Sequence, residues 1–220
     1  MFQNLIHFFV TEGDGEYLLR PAGYAALVIL LLLIIFIITL LGKSEKRMNT
    51  KQLVFASMAL ALATITSFIK LASLPFGGSI TLFSMFFICF IGYLYGPKIG
   101  LTTGIAYGIL QLIVDPYIYH PWQLILDYPL AFGALGLSGL FYKSNYGLVK
   151  GCIVGILGRY LFHVISGYIF FGSYAPENMN SLIYTLGYNA TYIIPELIAT
   201  VIILCLPPVT LALKEVKRTA

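Results

Sequence analysis

Apolar runs broken by short clusters of glycine, proline and charge set the pattern of this chain. The runs cover about 22–41, 52–74, 79–95, 99–114, 122–141, 149–171 and 182–212. The first, Ala22 to Leu41, has about 20 residues, the length of a membrane span and too long for the core of a secretory signal. Residues 1–20 carry Glu12, Asp14 and Glu16 and lack a basic start, so this run is expected to be retained. Pro75 and Gly77-Gly78, then Tyr95-Gly96-Pro97-Lys98, then Asp115-Pro116 punctuate the following runs. Pro195 interrupts the last one, and Pro207-Pro208 lie near its end. The spacing predicts about seven transmembrane helices. Helices satisfy their own backbone groups in lipid, and the period-2 alternation of a barrel strand is absent.

Composition supports lipid as the main solvent. The 220 residues are 59% hydrophobic and 10% charged, with mean hydropathy +0.90, against about one quarter charged in a soluble domain. The net charge of +4 points to no nucleic-acid partner. Cys89, Cys152 and Cys205 fall inside apolar runs without metal-ligand spacing and read as small packing residues.

Lysine and arginine orient the chain. Lys43, Lys46, Arg47 and Lys51 fill the first connection. Alternating spans place Lys98, Lys143, Lys150, Lys214, Lys217 and Arg218 on the same side, ten of the 13 basic residues in all. The positive-inside rule then expects the N-terminus outside and the C-terminus in the cytoplasm. The outer loops become 74–78, 115–121 and 172–181, rich in glycine, proline and aromatics. No internal repeat is evident, which argues against a transporter built from two matched halves.

Polar groups at membrane depth are costly unless paired or facing a wet cavity, so they carry the functional signal. Gln123 and Asp127 are four apart on one helical face, with Tyr128 beside them. Arg159, His163, Gly167 and Phe171 form a second stripe at four-residue spacing. Tyr184, Tyr188, Asn189 and Tyr192 enter the last span from outside. The loop Asp115-Pro116-Tyr117-Ile118-Tyr119-His120-Pro121-Trp122 is stiff and aromatic, above Tyr107 and Gln111. Bland alternatives stand beside these readings: Asp127 as an interfacial acid, Gly167 as a helix contact, the tyrosines and Trp122 as belt residues.

Together the clusters offer one carboxylate, one imidazole, one carboxamide and several π faces. They suit a flat, cationic, hydrogen-bonding heterocycle. There is no activated nucleophile, no metal cluster and no phosphate-cradling loop with a lysine. An enzyme is not expected, and any ATP used in transport must be hydrolysed by another chain.

Ordered motifs carry a family resemblance. They are Gly77-Gly78-Ser79-Ile80, Tyr95-Gly96-x-Lys98-x-Gly100-Leu101-Thr102-x-Gly104, His120-Pro121-x-Gln123-Leu124-x-Leu126-Asp127-Tyr128, and Arg159-Tyr160-x-x-His163-Val164-Ile165-Ser166-Gly167. Phe170-Phe171-Gly172-Ser173-x-Ala175-Pro176 and Tyr184-x-x-x-Tyr188-Asn189-Ala190-Thr191-Tyr192 follow. From about residue 50 to 212 the chain resembles the ThiT (YuaJ) family, the thiamine-specific S components of energy-coupling factor (ECF) vitamin transporters.

The resemblance implies an all-α integral membrane fold, a six-helix S-component bundle over 52–212. To it are added a helix at 22–42, an outer segment 1–21, a basic connection 43–51 and a basic tail 213–220. It implies thiamine as ligand with no cofactor, an ECF transmembrane coupling subunit and two cytoplasmic ATPases as partners, and a multi-pass place in the bacterial plasma membrane. It puts the acidic ligand on Asp127 and its neighbouring tyrosine on Tyr128. The pocket histidine falls on His163, with Arg159 one turn below. The last-helix ligands fall on Tyr184 and Asn189, and the loop tyrosine on Tyr117. Gly167 and Phe171 complete the expected substrate-binding set.

There are departures. Some members carry Glu where Asp127 stands, Trp where Phe171 stands, and Trp where Gly78 stands, so either stacking is weaker in this chain or Tyr119 or Phe76 substitutes. The extra helix has no counterpart in the six-helix fold. Arg159 is expected to pair with Glu196 or to orient Asp127, loop 74–78 to act as a lid, and Ala56, Ala59 and Ala63 to form a small-residue strip for the coupling subunit, with packing inside the bundle as the alternative. Two other functions remain open to the sequence: an S component for another vitamin or a thiamine precursor, and a proton or ion relay through Asp127, His163, Arg159 and Glu196.

Overall fold

The computed structural model describes Phe8, residues 10–13, 16–23, 25–26, Ile29 and, continuously, 48–220. Most of the expected span 22–41 lies outside these residues. A short antiparallel hairpin, β1 (Val10–Gly13) with β2 (Glu16–Leu19), precedes it. From residue 50 the chain is a helical membrane bundle: α1 (Thr50–Ser67), α2 (Ser84–Tyr95), α3 (Pro97–Val114), α4 (Pro121–Phe141), α5 (Gly147–Phe170) and α6 (Ser181–Cys205). Helix α7 (Pro207–Thr219) follows. Among the described residues α3, α4, α5 and α6 are long and apolar enough to cross a membrane, and α2 is a shorter apolar helix.

Three expected spans change shape. The run over 52–74 stops as a helix at Ser67. Asn49 and Gln52 close a capping box at its start, while Thr64, Thr66 and Ser67 turn their hydroxyls back onto preceding carbonyls near its end, a competition that weakens helix continuation. The chain then forms β3 (Lys70–Ser73), antiparallel to β4 (Ser79–Thr81), so the run over 79–95 becomes helical only from Ser84. The final run over 182–212 is two helices. Leu206 is extended between them, as the residue before a proline prefers, and Pro207-Pro208 start α7.

Packing is close because glycines remove side chains where helices cross. A Cβ on Gly136 of α4 would lie 2.1 Å from the Leu101 nitrogen of α3. Around these crossings Met85, Ile88, Cys89, Tyr107, Leu135, Cys152, Ile156 and Ile193 are fully or almost fully buried, whereas Cys205 is exposed. Hydrogen bonds join helices through this core: Tyr107 donates to the Ala63 carbonyl at 3.1 Å, Gln111 to Ser67 at 3.0 Å, and Ser138 to the Cys89 carbonyl at 2.8 Å. In lipid such packing and polar contacts replace the hydrophobic driving force between helices.

The alanine strip of α1 faces this interior. Ala56, Ala59 and Ala63 are buried, the first two against Ile91 and Leu94 of α2. The expectation of a coupling surface there is corrected: small side chains let α1 and α2 approach, and the outward side of α1 carries Leu53, Val54, Met58, Leu62 and Ile65 instead.

Candidate functional site

Three connections meet at one end of the bundle: the β3–β4 hairpin, the loop between α3 and α4, and the loop between α5 and α6. Beneath them lie two adjoining cavities of about 40 and 90 Å3. Phe76, Asp127, His163 and Tyr192 belong to both. The first cavity is otherwise walled by Ser166, Gly167 and Phe171 and by Tyr184, Thr185, Tyr188 and Asn189 of α6. The second extends toward Tyr117, Gln123, Tyr128 and Arg159.

Helix α4 widens to a π turn over Leu126–Leu130, with Pro129 inside it. Proline removes one backbone donor, and a π turn shifts the face on which side chains emerge, which often marks functional sites. Asp127 and Tyr128 sit in this turn. Gly108 of α3 makes room for it: a Cβ there would lie 2.4 Å from the Tyr128 carbonyl oxygen.

The polar chain through the site starts at Arg159. Its guanidinium lies 4.2 Å from the centre of the Phe132 ring, a cation–π stack. Its Nε–H donates to Nε2 of His163 at 3.2 Å. Nε2 is then an acceptor, and the ring proton sits on Nδ1. Nδ1 lies 3.1 Å from Oδ1 of Asp127, and Oδ1 takes part in no well-formed hydrogen bond. The other carboxylate oxygen, Oδ2, accepts from Gln123 Nε2 at 2.7 Å. Arg159 thus acts on Asp127 through His163. Its expected pairing with Glu196 is corrected: Glu196 accepts from the Thr81 backbone N–H at 3.0 Å, the Thr81 hydroxyl at 2.9 Å and the Met85 backbone N–H at 3.4 Å.

Gln123 and Tyr128 also hold the α3–α4 loop. Gln123 donates to the Tyr117 carbonyl at 3.2 Å and accepts from the Tyr119 N–H at 3.2 Å. Tyr128 accepts from the Tyr117 N–H at 2.7 Å and donates to the Asp115 carbonyl at 3.1 Å. Asn189 is similarly occupied. Its amide donates to the carbonyls of Thr185 at 2.9 Å and His163 at 3.3 Å, and its oxygen accepts from Tyr192 at 2.6 Å. Gly167 lets these helices touch, since a Cβ there would sit 3.1 Å from Thr185 and 3.2 Å from the Asn189 amide.

The hairpin roofs the cavities. Phe76 adopts φ 61° and Gly77 φ 82°, a left-handed pair that is strained at the phenylalanine. The turn aims the Phe76 ring at Tyr174, Phe171 and Tyr188, with centroid separations of 4.7, 6.0 and 6.1 Å. Phe171 also meets Tyr119 at 4.9 Å and Tyr117 at 6.0 Å. Tyr188 pins the turn, accepting from the Gly78 N–H at 3.3 Å and donating to the Pro75 carbonyl. Trp122 is 66% exposed, as a belt residue would be.

With this geometry in view, a family model described as "Thiamine transporter protein" matches residues 53–215. The chain belongs to this family. ThiT of Bacillus subtilis, a thiamine transporter, is 37% identical over 180 residues, spanning 76% of this chain and 93% of the relative. ThiT of Lacticaseibacillus paracasei is 31% identical over 118 residues, 46% of this chain and 59% of that one. A solved structure of ThiT from Listeria monocytogenes superposes with a TM-score of 0.61 at 25% identity, covering 73% of this chain and 97% of the other. Family membership makes the chain a membrane transporter rather than an enzyme.

All nine residues singled out in the sequence line these cavities in the family member described here. Gly167, Phe171, Tyr184 and Asn189 line the first, Tyr117, Tyr128 and Arg159 the second, and Asp127 and His163 both. Two wall residues, Ser166 and Thr185, escaped sequence reasoning. Ser166 lies three residues after His163, on the same helical face, and that spacing was the available signal. A larger cavity, about 700 Å3, lies at the opposite end beside Ser144–Val149 and Lys214 and contains none of the nine.

Proposed function

We propose that the chain captures thiamine in these joined cavities and serves as the substrate-binding S component of an ECF-type importer. The observation that carries this reading is Oδ1 of Asp127, a buried carboxylate oxygen that faces the His163 ring at 3.1 Å yet makes no well-formed hydrogen bond, in a cavity walled by aromatic rings. A buried, unpaired acceptor is costly unless a ligand supplies the donor. The aminopyrimidine of thiamine carries such an amino group. The faces of Phe76, Phe171, Tyr184 and Tyr188 suit the cationic thiazolium, which desolvated aromatic rings attract.

The volumes supply a second condition. Pockets that bury a drug-sized ligand measure about 300 Å3 or more, well above 40 and 90 Å3. Entry therefore requires the hairpin roof to lift, with Phe76 and Tyr188 parting. Such a lid also shields the bound ligand from water.

Onward movement falls to partners. The resemblance to ECF S components implies an ECF transmembrane coupling subunit and two cytoplasmic ATPases as the source of energy, in keeping with a sequence that carries no phosphate-cradling loop with a lysine. The placement of basic residues supports an outward-facing lid and a cytoplasmic α7: Lys217 reaches the Tyr142 carbonyl, and Lys51 reaches the Thr219 carbonyl. This gathers the basic connections at the end away from the cavities, as the positive-inside rule requires of a cytoplasmic face.

The test is thiamine titration of the purified chain, read by intrinsic fluorescence. Saturable quenching is expected from the parent and its loss from Asp127→Ala. Equal binding by the two proteins would overturn the assignment. Uptake into vesicles should require the coupling subunit and ATPases. Thiamine uptake by this chain alone would contradict the S-component role.

A further inference from the structure

Three buried side-chain polar atoms lack a hydrogen-bond partner among the described residues: Tyr95 Oη, Asp127 Oδ1 and Ser166 Oγ. Two of the three line the same cavity. Ser166 is 1% exposed and lies on α5, one turn from His163. Helical hydroxyls commonly return to a carbonyl three or four residues back, as Thr64, Thr103, Thr185 and Thr200 do here. Ser166 does not. The other buried hydroxyls on the wall are also engaged within the protein: Thr185 donates to Leu182 and Tyr192 to Asn189. Both amide hydrogens of Asn189 are spent on carbonyls.

We infer that Ser166 is a ligand-binding residue whose hydroxyl donates to a ring nitrogen adjacent to the ligand's amino group, while Asp127 Oδ1 accepts from that amino group. The inference rests on the thiamine reading above and extends it to a residue outside the expected set. An amino group beside a ring nitrogen presents a donor and an acceptor on one edge. The cavity presents the complement, an acceptor-only carboxylate oxygen and a hydroxyl free to donate. Unmatched, both atoms are liabilities; matched, both become selective, because a site built to pair a polar edge rejects analogues that lack it.

The experiment uses the full chain in detergent, with thiamine and with an analogue in which C–H replaces the pyrimidine nitrogen beside the amino group. Ser166→Ala is expected to weaken thiamine binding about 3–10-fold, the worth of one neutral hydrogen bond. It should leave affinity for the analogue unchanged from the parent's. Because Ser166 has no partner inside the protein, the variant should unfold at the same or a higher temperature without ligand. Ser166→Cys, nearly isosteric but a weak donor, should behave like Ser166→Ala. Undiminished thiamine binding, an equal loss for both ligands, or a lowered melting temperature without ligand would each overturn the inference. The two readings fail separately: a parent that does not bind thiamine defeats the underlying reading, whereas a parent that binds it and a Ser166→Ala variant that binds it equally defeat only this one.

Discussion

Asp127 and Glu196 are both acids within apolar helices, yet their surroundings differ. Glu196 is 3% exposed and receives three donors from Thr81 and Met85. It ties α6 to the end of the hairpin and the first turn of α2, where exposed N–H groups welcome a carboxylate. Asp127 has one oxygen anchored by Gln123 and one that faces His163 at 3.1 Å without a well-formed hydrogen bond. An acid whose hydrogen-bonding capacity is filled by its own chain stabilises the fold. An acid left half filled beside a cavity is arranged for something that arrives. Intramembrane position flags both; only the accounting of donors separates them.

Exchanging the two acids for alanine tests that contrast most strongly. Asp127→Ala should weaken thiamine binding on the order of 100-fold, as expected for a hydrogen bond to a charged group, with little loss of thermal stability. Glu196→Ala should do the reverse. It strands buried donors and should cost about 3 kcal/mol of stability, read as a lower melting temperature, while thiamine affinity in the folded fraction stays within about threefold. Identical behaviour of the two variants would erase the distinction.

Smaller effects sharpen it at the lid. Tyr188→Phe removes the hydroxyl that bridges Gly78 and Pro75 and should speed thiamine release about fivefold, the worth of roughly one hydrogen bond, in stopped-flow measurements. Lys70→Ala breaks the 2.5 Å pair with Asp115 at the rim, whose side chains are 37% and 56% exposed. Exposed pairs contribute little, so stability should shift by less than about 0.5 kcal/mol and affinity hardly at all.

Much of this organisation is legible in the sequence because lipid makes polar residues conspicuous. The four-residue spacing of Arg159, His163, Gly167 and Phe171 is visible without a structure, and so is the Gln123–Asp127 face. The hairpin was hidden because Leu71, Ala72 and Leu74 continue the apolar run of α1, and apolarity does not distinguish a strand from another helical turn. The π turn is equally silent: Pro129 announces an irregularity but not its kind. The alanines of α1 show that a strip of small residues marks a close contact without saying with which neighbour. Ser166 stood inside a recognised motif, but an unspent hydroxyl is visible only when every possible acceptor has a position.

The most direct measurement of the central claim is the thiamine dissociation constant of the purified parent beside that of Asp127→Asn, which keeps the shape of the side chain and removes its charge. The account predicts saturable binding by the parent and a loss of about tenfold in the variant, the difference between a charged and a neutral acceptor, with the melting temperature of the ligand-free protein unchanged. Equal dissociation constants for the two proteins would contradict it.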